Sequence, residues 1–123
     1  MKITKIIPLA VMLACPAWMS AQHNITDGIW NITFDESAKT LTYEQNGTQL
    51  VKGAYVEVHN AAEEQLLSKN YPNVSLTSEA VSDVFGNGTK YTYTYSGLAG
   101  KENIEQSIYI SVSYTHLRAH ETV

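Results

Sequence analysis

Apolar and polar residues alternate along most of the chain with a period of two. Trp30, Ile32 and Phe34 are interleaved with Asn31, Thr33 and Asp35, the pattern of a strand with one face buried. Leu41 and Tyr43 alternate with Thr40, Thr42 and Glu44, and Asn46-Gly47 follows. That dipeptide tolerates positive φ at both central positions of a type I′ turn, so it predicts a hairpin. The returning strand runs through Leu50 and Val51 toward Val56 and Val58, with Gly53 marking a bulge or bend. Residues 74–80 predict a further strand, and Phe85-Gly86-Asn87-Gly88 predicts a turn. Tyr91, Tyr93 and Tyr95 alternate with Lys90, Thr92 and Thr94, and Ile104, Gln106, Ile108 and Ile110 alternate with Glu105, Ser107 and Tyr109. These two segments, separated by a glycine-containing loop, predict an antiparallel pair. Residues 61–69 alone resemble helix, with Glu63, Glu64, Leu66 and Leu67, but the stretch is too short to stand by itself and reads as a hairpin connection with one turn of helix, ended by Pro72. The expectation is an all-β chain forming an antiparallel β-sandwich, incomplete because its last strand has no obvious partner.

The first residues follow another logic. Lys2 and Lys5 precede an apolar run at residues 6–14, and small residues follow at Ala17, Ser20 and Ala21. This is the layout of a secretory signal peptide, and the run is shorter than the roughly 20 residues of a membrane span. Cleavage after Ala21 leaves Gln22 as the mature start, and a cut after Ala17 is the alternative. Met12-Leu13-Ala14-Cys15 also resembles a lipoprotein box, with Cys15 as the lipidated residue. The chain is therefore expected to be exported, to the periplasm or the cell surface. Cys15 is the single cysteine, so residues 22–111 have neither disulfide nor thiolate chemistry. With 12 acidic against 8 basic residues, no basic patch is available to neutralise phosphates, which argues against a nucleic-acid partner.

The last residues stand apart again. Val112-Ser113-Tyr114-Thr115-His116-Leu117-Arg118-Ala119-His120-Glu121-Thr122 resembles the translation of a transposase-type sequencing adapter. The domain reading is accordingly residues 1–21 as signal peptide, 22–111 as a partial N-terminal β-sandwich domain, and 112–123 as adapter-derived. On that reading the His116-x-x-x-His120 pair carries no metal site despite its helical ligand spacing.

Candidate chemistry is sparse. Asp35-Glu36 and Glu63-Glu64 are sequence neighbours in turn-like segments, where acids are ordinarily solvated, and glycoside hydrolysis needs two carboxylates held across a substrate. His23 and His59 are isolated. Tyr91, Tyr93 and Tyr95 form an aromatic row that would stack on sugar rings if exposed, whereas the ordinary reading makes them one buried face of the sandwich. No catalytic residue, metal ligand or cofactor site is assigned. Asn-x-Ser/Thr sequons at Asn24, Asn31, Asn46, Asn73 and Asn87 read as turn and strand residues.

The segment Ser82-Asp83-Val84-Phe85-Gly86-Asn87-Gly88-Thr89-Lys90-Tyr91-Thr92-Tyr93, together with Ile104-Glu105-Gln106-Ser107-Ile108-Tyr109, is similar to the N-terminal β-sandwich of secreted α-galactosidase-like glycoside hydrolases of Bacteroidota. The opening from Gly28 to Asp35 and the run from Leu41 to Gly47 also fit. The resemblance implies a β-sandwich that precedes a (β/α)₈ barrel, with the catalytic aspartates in that barrel and a carbohydrate substrate bound there. It therefore implies an accessory domain with no catalytic residue of its own. A non-catalytic surface glycan-binding or adhesion protein, with the tyrosine row as its platform, is the alternative.

Overall fold

The computed structural model describes residues 23–84, 86–111 and 117–122. The signal peptide, its cleavage sites and Cys15 lie outside the described residues, as do residues 112–116. The described chain is built from strands, with one short 3₁₀ turn at Ser68–Asn70. Strands β1 (Ile25–Asp27), β2 (Trp30–Asp35), β3 (Thr40–Gln45) and β4 (Thr48–Ala54) form one antiparallel meander. Strands β5 (Glu57–His59) and β6 (Gln65–Leu67) form a separate hairpin. Strands β7 (Asn73–Asp83), β8 (Gly86–Ser96), β9 (Ile104–Ser111) and β10 (Leu117–Thr122) form a second four-stranded meander in the order β10-β9-β8-β7. The all-β sandwich read from the period-two pattern is the architecture observed.

Turn chemistry sets the first meander. Asn46 and Gly47 take φ values of 50° and 80° between β3 and β4, the positive-φ pair that a type I′ hairpin requires. Between β2 and β3, the Asp35 carboxylate accepts the backbone N–H groups of Ser37 and Ala38 and the Ser37 hydroxyl, so the turn is closed by its own first side chain. Register slips on β4 between the partners of Leu41, Tyr43 and Glu44, and Gly53 sits in the first slip at φ 74°.

The core lies between the two meanders. Trp30, Ile32 and Phe34 of β2 and Leu41 of β3 pack with Tyr93 and Tyr95 of β8 and with Ile104, Ile108 and Ile110 of β9. The Phe34 and Tyr93 rings stack at 5.8 Å across the interior. Alternation fixes which side chains enter. Tyr95 lies opposite Ile104, Tyr93 opposite Gln106, and Tyr91 opposite Ile108, so one face of the β8–β9 pair is a continuous inward surface. Gln106 is the polar member of that surface and is buried.

Three expectations are refined or corrected. First, residues 61–69 do belong to a hairpin connection with one helical turn, but residues 61–64 are not helical. The Asn60 side-chain oxygen captures the N–H groups of Ala62 and Glu64, and Glu63 takes φ 62°. This Asx-type closure competes successfully with a helix too short to nucleate. Leu66 then enters the core as part of β6, and the one helical turn falls later, at Ser68–Asn70. Second, Gly86 and Gly88 lie within β8, which pairs with β7 as far as Asp83↔Gly86. A Cβ on Gly88 would stand 2.4 Å from the Ile110 carbonyl oxygen on β9, so the close approach of two backbones fixes that glycine. Third, β9 is not an unpaired final strand lacking cover. It pairs with β10 from Leu117↔Ile110 to Thr122↔Glu105, and Ile104, Ile108 and Ile110 are all buried.

Candidate functional site

The three tyrosines of the sequence-level glycan platform share one face of β8, and that face is turned to the core. Tyr93 and Tyr95 are 0% and 1% exposed, and Tyr91 is half-buried. Each hydroxyl reaches a partner: Tyr91 donates to the Asp27 carboxylate at 2.8 Å, Tyr93 to the His23 carbonyl, and Tyr95 to the Gln106 side-chain oxygen at 3.0 Å. Burial raises the phenols of Tyr43, Tyr71, Tyr91, Tyr93 and Tyr95 above the ordinary tyrosine range. Tyr43 and Tyr91 are pushed up to about 12, with Glu121 adding to the burial effect at Tyr43 and Asp27 at Tyr91. In this arrangement a sugar ring has no access to the faces of Tyr93 and Tyr95. Their rings act as core, with polar tips tied to backbone and side-chain partners.

The acidic neighbours of the sequence separate into surface roles. Asp35 sits in the β2–β3 turn with its carboxyl held below the usual carboxylate range, first by the Ala38 N–H and then by Ser37. Glu36 takes the His23 imidazole at 2.6 Å, and Glu63 is exposed. His59 lies 3.8 Å from Glu57 on β5. Among the described residues no group of three His, Cys, Asp or Glu side chains is placed to hold a metal ion.

The fold does assemble one carboxylate pair that sequence spacing did not reveal. The Asn60 amide nitrogen donates to Glu64 at 2.8 Å and to Glu102 at 3.1 Å. The two acceptor oxygens are thus closer than those two distances laid end to end, a range that overlaps the roughly 5–5.5 Å of a retaining glycosidase pair. The chemistry argues against that role. Lys101 and then Asn60 hold the Glu64 carboxyl below its ordinary range. The Glu102 carboxyl is lowered by its own backbone N–H and then by Asn60. A glycosidase acid needs a raised pKa so that it carries a proton at neutral pH, and here both members are ionised and exposed. The cluster instead ties the β5–β6 hairpin to the β8–β9 loop. The Asn60–Glu102 bond spans 42 positions, and no local motif announces it.

On the outer face of the second sheet, a shallow solvent-open depression of about 450 Å³ is lined by Asp83, Tyr109, Ala119 and His120. Tyr109 faces outward because it alternates with the inward Ile108 and Ile110, a signal already present in the sequence. The Lys90 ammonium lies 5.8 Å from the centre of its ring and 3.7 Å from Glu79, so a Glu79–Lys90–Tyr109 row crosses three strands. No helix among the described residues is long and apolar enough to cross a membrane. No family model, curated protein or solved structure matches the chain.

Proposed function

We propose that the domain is the N-terminal, non-catalytic β-sandwich of a secreted glycoside hydrolase of the α-galactosidase type, exported to the periplasm or cell surface, where the whole protein breaks down glycans. The observation that supports this reading is the register of β8 on β9. The two segments that carry the family resemblance are adjacent strands, joined from Gly88↔Ser111 to Tyr95↔Ile104. They are also linked through the core by Tyr95 and Gln106. A resemblance carried by one packed unit is more informative than the same motifs scattered over a surface. The ionised, exposed Glu64–Glu102 pair fits a domain whose parent holds its acid and nucleophile elsewhere, in a barrel that binds the carbohydrate substrate. The sandwich's part is support, with its loops bordering the substrate pocket.

A second reading, a surface glycan-binding or adhesion protein, draws on the outer depression. An aromatic ring beside a carboxylate and an imidazole offers the stacking and hydrogen-bonding groups that sugars use. The uninterrupted gene separates the two. Several hundred further codons alternating strand and helix support the hydrolase, and further β-only repeats support the binder.

A further inference from the structure

We propose that Asn46 is a site of spontaneous, backbone-assisted deamidation, and that the fold directs this chemistry to Asn46 while withholding it from Asn87. The chain holds Asn-Gly twice, and both times as the same triplet: Asn46-Gly47-Thr48 and Asn87-Gly88-Thr89. Every other asparagine is followed by a residue whose side chain crowds the next nitrogen. The glycine nitrogen attacks the asparagine side-chain carbonyl carbon. That C–N bond forms, the carbon's bond to its own amide nitrogen breaks, and ammonia leaves with the proton given up by the attacking nitrogen. Water then opens the cyclic imide. Opening at the side-chain carbonyl gives aspartate, and opening at the main-chain carbonyl gives isoaspartate, whose main chain runs through the side-chain carbon.

Because the triplets are identical, their surroundings decide between them. Asn46 and Gly47 are the two residues between the paired Gln45↔Thr48, so the Gly47 nitrogen stands outside the ladder. Both residues are exposed, with φ values of 50° and 80°, and no atom lies within 4 Å of where a Gly47 Cβ would stand. Ring closure there deforms a two-residue turn and leaves both flanking strands paired. Asn87 lies inside β8 opposite Ser82, and Gly88 is flanked by Val81 on β7 and Ser111 on β9. A strand paired on both sides has each N–H committed to one neighbour, and the Ile110 backbone crowds Gly88 as well. Ring closure at Asn87 therefore waits for the ladder to open, a rarer event than the deformation of an exposed turn.

The product alters the first meander. The Asn46 N–H donates to the Ile29 carbonyl at 2.8 Å, tying this turn to the start of β2, where Trp30 lies opposite Gln45. Isoaspartate adds a main-chain carbon at that tie, whereas aspartate leaves the main chain as it was.

The test ages the full chain in mildly alkaline buffer and follows both sites by peptide-mapping mass spectrometry, with fragmentation that separates aspartate from isoaspartate. Asn46 should convert at least tenfold faster than Asn87 in the folded chain, and the two rates should come within about twofold of each other in denaturing urea. Comparable rates in the folded chain, faster loss of Asn87, or a difference that persists in urea overturns the proposal. Urea unfolding then checks the consequence. Chain carrying isoaspartate at position 46 should have a folding equilibrium constant at least fivefold below that of Asn46→Asp, and equal constants would contradict the role given to the Ile29 tie.

Discussion

Tyr95→Phe removes one oxygen from the centre of the sandwich, and its cost follows from what that oxygen does. The hydroxyl donates to the Gln106 side-chain oxygen at 3.0 Å, with Tyr95 1% and Gln106 5% exposed. Water has no route to replace the donor, so the Gln106 oxygen loses this partner in the interior. An unsatisfied buried acceptor costs about 1–3 kcal/mol. Ser68, whose hydroxyl also interacts with Tyr95, still accepts the Val56 N–H at 2.8 Å, so the loss falls mainly on Gln106. A domain of this size keeps roughly 5–10 kcal/mol in all, so the change consumes a sizeable share. Each kcal/mol lowers the Tm of a small domain by roughly 4–8 °C. Urea unfolding followed by far-UV circular dichroism should show the midpoint falling with the slope unchanged. Gln106→Met in the Tyr95→Phe background removes the orphaned acceptor while keeping an unbranched side chain. The double variant should recover to within about 1 kcal/mol of the parent, giving a coupling of about 1–2 kcal/mol. A Tyr95→Phe chain as stable as the parent, or a double variant at the sum of the two single losses, refutes the buried pair.

Gly88→Ala should destabilise by about 1–3 kcal/mol or more in the same urea assay, since the new methyl meets the Ile110 backbone. The inner tyrosines make the fold alkali-sensitive. Their folded pKa values lie above the unfolded value of about 10, so their contribution is complete below about pH 10 and falls as pH rises through the folded values, from about 12 for Tyr43 and Tyr91 upward. Absorbance at about 295 nm should show these four phenols still protonated at about pH 11, ionising together with the loss of far-UV signal; early, independent ionisation of all eight tyrosines contradicts their burial.

Much of this fold was legible because strands write their faces into alternation. Trp30, Ile32 and Phe34 announced β2, and Asn46-Gly47 announced the β3–β4 hairpin. What was not legible depends on contacts between distant residues. Alternation shows that Tyr91, Tyr93 and Tyr95 share a face, but not whether a second sheet covers it; that took β1 and β2, some 60 residues away. The place of the helical turn was not legible within residues 61–69 because the signal lay in Asn60, just before them, whose side chain takes two backbone N–H groups. Gly88 read as a turn residue because a close approach of β9 leaves no local trace. The Glu64–Glu102 pair was invisible for the same reason.

The central claim is that this sandwich belongs to an α-galactosidase-type hydrolase without carrying its chemistry. Parallel assays of this chain and of any longer product encoded at the same locus on nitrophenyl α-galactopyranoside test it most directly. The account predicts nitrophenol release by the longer product and none by this chain. Release by this chain that is lost on Glu64→Gln or Glu102→Gln, or no release by the longer product, contradicts it.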